Sequence, residues 1–599
     1  PSVETFGAVT VICSDKTGTL TRNEMTVRAI VTSTGRFEVT GAGYTARGEF
    51  LADGHAVDPC AAPDLAMALR IGAQCNNARV HPSPHAVGAW EIVGDPTEGA
   101  LVLAAHKARI EAREPRVFEI AFDSDRKTMS VVVERDRRSP QMLTKGAPEV
   151  VLAKCVAELR DGRVEPLDDA RRRAILAANA EMASRALRVL ALAYRDLPDA
   201  SLHDERDLVF VGLVGMMDPP RDEVRDAVAR CRAAGIRPVM ITGDHPATAL
   251  AIARELRIAA EGDRVVIGTE LDALPDDVLA AEMPRIAVFA RVTAEHKLRV
   301  VRAWKCRGDV VAMTGDGVND GPAIRAADIG IAMGVGGTDV TKEASAMVLV
   351  DDNFASIVNA VEEGRGIFDN IQKVLRYLLA CNAGEILFVL ATSLAGWPLP
   401  LEPLQLLWIN LVTDGMPALA LSVEPSEPGV MRRPPRSPSE GMLTGRLGAT
   451  LVAHGFLIGG VTFAAFAIHY VPHSHMVDRA RTMAFCVLVF SELFWALAVR
   501  SPRLPLLRLG LFGNPYLLGA VVVSALLQIS VVVVPFEAAL FDTARHPIWE
   551  WGVVIALSIT PALIYEIAKH VGVWRRERAR RGGIASPPHV PRPLGAASS

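Results

Sequence analysis

Apolar positions follow two different rhythms along this chain of 599 residues. Up to about residue 365 they come as short β-branched runs that end in Asp, Gly or Thr. Residues 8–14 run into Asp15, 238–241 precede Thr242-Gly-Asp244, and 310–313 precede Thr314-Gly-Asp316, with a further run at 286–289. Helix-like segments at 223–234 and 246–256 separate them. Alternating strands and helices predict a doubly wound parallel sheet, with chemistry at the carboxyl ends of its strands. The stretch 29–215 breaks the alternation, with a strand-like run at 129–134 and a helix-like segment at 168–190. It reads as an α+β domain inserted into a discontinuous Rossmann-like domain made of 1–28 and 216–365.

Beyond 365 the apolar runs lengthen, at 367–394, 404–421, 447–471, 482–499, 516–534 and 551–571. A hydrocarbon core needs roughly 20 residues of helix, so 366–573 reads as a bundle of about six transmembrane helices, followed by a basic tail, 574–599. Arginines gather between the second and third runs, between the fourth and fifth, and after the sixth. The positive-inside rule then places the soluble domains and the C-terminus in the cytoplasm of a multi-pass membrane protein.

Composition agrees with a split molecule. Mean hydropathy is +0.24 with 22% charged residues, too apolar for an ordinary soluble enzyme and too charged for a chain that is mostly membrane. A net charge of -4 gives no support for a nucleic-acid partner. None of the eight cysteines forms a CxxC pair, so no zinc site or disulfide framework is indicated. Of 64 basic residues ten are Lys and 54 Arg, yet Lys stands at 16, 127, 145 and 297, inside the motifs that follow. This bias also points to a G+C-rich bacterial source, and so to the bacterial cell membrane.

Asp15-Lys-Thr-Gly-Thr-Leu-Thr21 follows a strand directly. A carboxylate there can attack a γ-phosphoryl group in line and form an aspartyl phosphate, with Lys16 neutralising phosphate charge. On these residues the chain resembles the P-type ATPases, whose phosphorylation domain is haloacid-dehalogenase-like. Phosphatases of that superfamily carry a second acidic residue two positions on; Thr17 stands there, which implies an intermediate that persists. The resemblance makes Thr242-Gly243-Asp244 a phosphate-binding loop and Lys297 the bridge between nucleophile and phosphate. It makes Asp316 a magnesium ligand with Asp15 and Thr17, and Asn319 and Asp320 supporting groups. In the inserted domain it implies an ATP site with Phe122 stacking on the base, Lys127 and Lys145 in the pocket, Glu98 at the adenine edge and Arg188 on the phosphates. Asp218-Pro-Pro-Arg221 resembles the hinge back to the phosphorylation domain.

Polar groups inside apolar spans are expensive and functional by default. The first span carries Asn382 and Glu385, the second Asn410, Thr413 and Asp414, and the fourth Glu492. An all-oxygen set, with neither His nor Cys, suits a hard cation. The set is similar to the sarcoplasmic-reticulum-type calcium pumps, whose ligand positions all six residues match. The resemblance implies ATP-driven calcium transport, with Mg2+ as cofactor and ATP, the cation and the lipid bilayer as partners. Members of that family carry four earlier spans and an actuator domain, so the missing N-terminal half of the pump is an expected partner. Beside this reading stand manganese or another hard cation as cargo, a phosphatase fused to a membrane anchor, and a truncated regulator that transports nothing.

Overall fold

A computed structural model describes residues 5–581, apart from 42, 85–87, 112–113, 136–137, 202, 438–444 and 471–476. The first four residues and 582–599, which hold most of the expected tail, lie outside the described residues.

Val11–Asp15 is the central strand of a seven-stranded, wholly parallel sheet. The order is Arg264–Ile267, Ile286–Ala290, Arg237–Thr242, Val11–Asp15, Val311–Gly315, Ile329–Met333, Met347–Leu349. Helices cover both faces, so the central strands are buried throughout, which explains their continuous apolar runs. Asp15, Thr242 and Thr314 all fall at carboxyl ends of neighbouring strands.

An eleven-stranded sheet, mostly antiparallel, is built between the first and second strands of the parallel sheet in chain order. Its outermost strands in sequence are Thr26–Thr32 and Leu208–Met217, which pair with one another. The sheet therefore extends three residues before 29 and two beyond 215. One expectation is corrected here. The helix read at 168–190 is Asp169–Ser184, and Arg188–Asp196 is a strand pairing with Leu208–Met217. The chain reverses at Ala186, whose φ is 64°, and the apolar run after it sends Leu190, Leu192 and Tyr194 into one core and Val189, Ala191 and Ala193 into another, as the two faces of a strand do.

Among the described residues, six helices are long and apolar enough to cross a membrane. The first, Phe354–Leu394, has 41 residues and is about 60 Å long at 1.5 Å per residue. Asn353 caps it, accepting a hydrogen bond from the Ala355 amide at 3.0 Å. Its opening residues Phe354, Ile357, Val358 and Val361 pack into the core around Val224 and Val228, while Tyr377, Cys381 and Phe388 belong to the membrane core. The boundary expected at 365/366 thus falls inside one continuous helix. The sixth helix, Ile548–Arg581, likewise runs on past 573.

Candidate functional site

Three loops meet at the end of Val11–Asp15. The Lys297 ammonium donates to Asp15 Oδ2 at 2.5 Å and to Asp320 Oδ1 at 2.8 Å. Lys16 reaches Asp244 Oδ2 at 2.7 Å, and the Asp15 amide donates to Thr314 Oγ1 at 3.0 Å. Carboxylate oxygens of Asp15, Asp316 and Asp320 lie within 4.8 Å of one another. Burial would lower the Lys297 pKa, but the two carboxylates it bridges raise it. Asp316 is raised by burial first, then by the charges of Asp15 and Asp320. Three carboxylates to one ammonium leave excess negative charge, which fits a divalent cation with oxygen ligands.

Local sequence explains the approach. Gly18 adopts φ 76°, a left-handed turn that costs glycine little. A side chain at Gly315 would meet Asp320 Cβ at 2.6 Å, so only glycine lets the carboxylate of Asp320 fold back over the loop. That carboxylate accepts from the Asp316 amide at 3.3 Å. Thr242 is buried, and its hydroxyl accepts from the Asp244 amide at 3.1 Å, which shapes the Thr-Gly-Asp turn. Thr17 and Asn319 are exposed on their loops. Arg221 of the hinge braces the nucleophile loop, donating to the carbonyls of Gly18 at 3.1 Å and Thr21 at 3.2 Å. Its place in the hinge signalled a connection but not this brace.

In the inserted domain Lys145 is buried and donates to Glu98 Oε1 at 2.7 Å, while the amides of Asn77 and Ala78 hold Oε2. Arg188 reaches the hydroxyl of Thr97, next to Glu98, at 3.1 Å. These three residues therefore share one neighbourhood. Phe122 and Lys127 lie on the hairpin Arg116–Asp123/Thr128–Arg135, with Lys127 in its turn at φ 55°. The Phe122 ring is 63% exposed, so it contributes little to the core and is free to stack.

The membrane set gathers in part. Asn410 donates to Glu385 Oε2 at 3.2 Å, joining the first and second spans. Asp414 and Glu492 come together with Cys381, their ligand atoms within 4.8 Å and all three residues buried. The sulfur corrects the expectation of a cluster without cysteine; Cys381 sits one turn before Glu385 and packing, not composition, brings it in. Tyr377 donates to Asp414 Oδ1 at 2.8 Å. Asp414 Oδ2 and both oxygens of Glu492 are buried without a hydrogen-bond partner. Asn382 and Thr413 instead turn back onto their own helices, donating to Leu378 O at 2.7 Å and Ile409 O at 2.9 Å. The second span widens at Ile409–Thr413, where the Asp414 amide bonds five residues back to Ile409 O at 2.9 Å. Pro417 lacks an amide hydrogen and crowds the carbonyl four residues earlier, which favours such a bulge.

The site and sheet together define a haloacid-dehalogenase-like phosphorylation domain joined to a membrane bundle. Comparison with known proteins narrows this. Residues 64–223 match the family described as P-type ATPase, cytoplasmic domain N. Residues 398–571 match Cation transporting ATPase, C-terminus. The chain is 44% identical over 573 residues to a calcium-transporting ATPase of Bacillus subtilis, covering 94% of this chain and 64% of that protein. It is 41% identical over 592 residues to calcium-transporting ATPase 1 of Bacillus cereus, covering 95% and 64%. Calcium-transporting ATPase type 2C member 1 of Bos taurus is 38% identical over 578 residues, covering 95% and 59%. The chain belongs to the P-type cation-transporting ATPases, and spans a little under two thirds of the length of these relatives.

Proposed function

We propose that this chain is the catalytic and C-terminal membrane part of an ATP-driven pump that moves calcium through an aspartyl-phosphate intermediate. The observation that carries the reading is the pairing, along one continuous helix, of a carboxylate cluster at a strand end with a buried carboxylate cluster in the bundle. The inserted domain would hold ATP between Phe122 and the Glu98–Lys145 pair, with Arg188 toward the phosphates. Asp15 would attack the γ-phosphorus, forming an acyl phosphate as the bond to the ADP oxygen breaks. Lys297 would hold the attacking oxygen in place, and Lys16 with the loop of Thr242, Gly243 and Asp244 would receive the transferred group. Magnesium, bound by Asp15 and Asp316 beside Thr17, would neutralise charge on the transferring phosphoryl group. With Thr17 in place of an acid/base, the acyl phosphate would survive long enough to drive a conformational change. Asn319 and Asp320 would hold the loop that carries Asp316.

In the membrane, Glu385, Asn410, Asp414 and Glu492 offer oxygens from three helices, with Asn382 and Thr413 able to rotate toward them. Calcium takes six to eight oxygens in adaptable geometry, which suits such a spread. The test is labelling from γ-labelled ATP in the pump completed to the length of its relatives. A hydroxylamine-sensitive adduct should form with calcium and not with magnesium alone. Manganese acting at far lower concentration than calcium would move the reading to a manganese pump, which the Cys381 sulfur would tolerate better. Dependence on sodium or potassium alone would reject it.

A further inference from the structure

The buried polar groups of the bundle fall into two halves of different chemistry. One is all oxygen, where Asn410 donates to Glu385 Oε2 at 3.2 Å. The other brings Cys381 of the first span, Asp414 of the second and Glu492 of the fourth together, one ligand atom from each, within 4.8 Å of one another. Exposure is 0% at Cys381 and Glu492 and 1% at Asp414. A thiol beside two carboxylates is not by itself a site. What makes one here is that polar atoms enter the cluster with nothing to hold. Tyr377, one turn before Cys381, occupies Asp414 Oδ1 at 2.8 Å and leaves Oδ2 without a hydrogen-bond partner, and neither oxygen of Glu492 has one. Unpartnered buried oxygens are costly, and these three share their enclosure with a sulfur rather than with a further oxygen.

Hard and soft cations should divide between these halves. Calcium seeks six to eight oxygens, so Cys381 is a position it cannot use. Thiolate selects softer ions such as zinc, which often takes three protein ligands and one open position, with bonds of about 2.0–2.3 Å. Ligand atoms at the corners of such a tetrahedron stand roughly 3.3–3.8 Å apart, inside the 4.8 Å that bounds the cluster. Taking the bundle as the cation path of the proposed function, on which this rests, we propose that Cys381, Asp414 and Glu492 bind a thiophilic divalent cation, zinc or cadmium, with a fourth position left open. As the metal–sulfur bond forms, the thiol proton passes to the medium; no other bond breaks and nothing is oxidised. One half of the site then prefers a different class of ion from the other.

The test uses the whole chain in phosphatidylcholine nanodiscs, carrying Cys60→Ser/Cys306→Ser to silence the two exposed cysteines, with cadmium alone as the probe. A sulfur-to-cadmium charge-transfer band in the ultraviolet should appear and saturate. Cys381→Ser should abolish that band and weaken cadmium binding about 10–100-fold, the loss seen when even an outer partner of a ligand is removed. Glu492→Gln keeps the sulfur and should weaken binding to a similar extent, which keeps the site testable if Cys381→Ser fails to fold. Cys486→Ser removes another buried cysteine of the fourth span, one that faces Gln528, and should keep the band. An unchanged band in Cys381→Ser, unchanged cadmium affinity in Glu492→Gln, or loss of the band in Cys486→Ser would overturn the proposal. If calcium drives labelling of the completed pump and the chain shows no cadmium band, the sulfur site falls and the proposed function stands. If labelling ignores calcium while the band follows Cys381, the proposed function falls and the sulfur site stands.

Discussion

The two acidic clusters of this protein are built on opposite electrostatic terms. At the strand end most charges have a partner within the protein, the Asp316 carboxylate excepted. Lys297 bridges Asp15 and Asp320, Lys16 holds Asp244, and backbone amides fold onto Asp320. In the bundle, Asp414 and Glu492 face one another with a phenol and a thiol beside them and no cation, and three of their four oxygens are unpartnered. Buried polar groups without partners are costly. Under the proposed function, the first cluster is preorganised to act on a substrate that brings its own phosphate. The second is left incomplete, and a cation from outside the protein is what would complete it. Under the same proposal, a site that must bind and release its cargo is better served by such a deficit than by a permanent internal cation.

The largest expected effect is at the nucleophile. Asp15→Asn should abolish the labelled adduct altogether, since an amide cannot attack phosphorus; unchanged labelling would remove Asp15 from its role. Next come the paired and unpaired carboxylates, which should respond in opposite directions. Lys297→Met leaves Asp15 and Asp320 uncompensated and should lower the Tm. Glu492→Gln replaces a buried acid whose oxygens have no hydrogen-bond partner with an amide of the same shape and should leave the Tm unchanged or raise it, while weakening calcium-dependent phosphorylation; Asp414→Asn should abolish that phosphorylation. A fall in Tm in both Lys297→Met and Glu492→Gln would break the contrast.

A smaller effect concerns pH. The Asp316 carboxyl is raised by burial and by its acidic neighbours, so the folded state holds that proton more tightly than the unfolded chain. Without metal its contribution to stability should therefore fall as pH rises from the unfolded value near 3.8 through the raised folded one. Magnesium should oppose that loss, so its stabilising effect, read as a Tm difference with and without the ion, should grow with pH across this range. Asp316→Asn should flatten the difference. Smallest of all, Phe122→Ala should weaken ATP binding by about 0.5–1.5 kcal/mol of stacking without changing the Tm, because the ring is largely exposed. Equal titration curves would take Phe122 out of the nucleotide site.

Much of this was legible in one dimension because the chemistry sits in short contiguous loops. Asp15-Lys-Thr-Gly-Thr, Thr242-Gly-Asp244 and Thr314-Gly-Asp316 each end an apolar run, and the geometry of parallel strands places such ends together. The six spans were equally legible, since lipid demands length and apolarity from each helix alone. Arg188 was placed on a helix because the segment before it is helical; pairing with Leu208–Met217 made it a strand.

What the sequence determined by itself was which residues could do chemistry and on which side of the membrane boundary they lie, because loop motifs and hydropathy are local properties. What only the tertiary structure decided was their company. Lys297 bridges two aspartates, one of them 282 residues away, because neighbouring strands of the sheet bring their loops to one edge. Cys381 joins Asp414 and Glu492, and Thr413 turns away, because the wide turn before Pro417 resets the facing of the second span. The oxygens of Glu492 stand unpartnered because the fourth span is the most enclosed of the six, and enclosure is a property of packing, which no single span encodes.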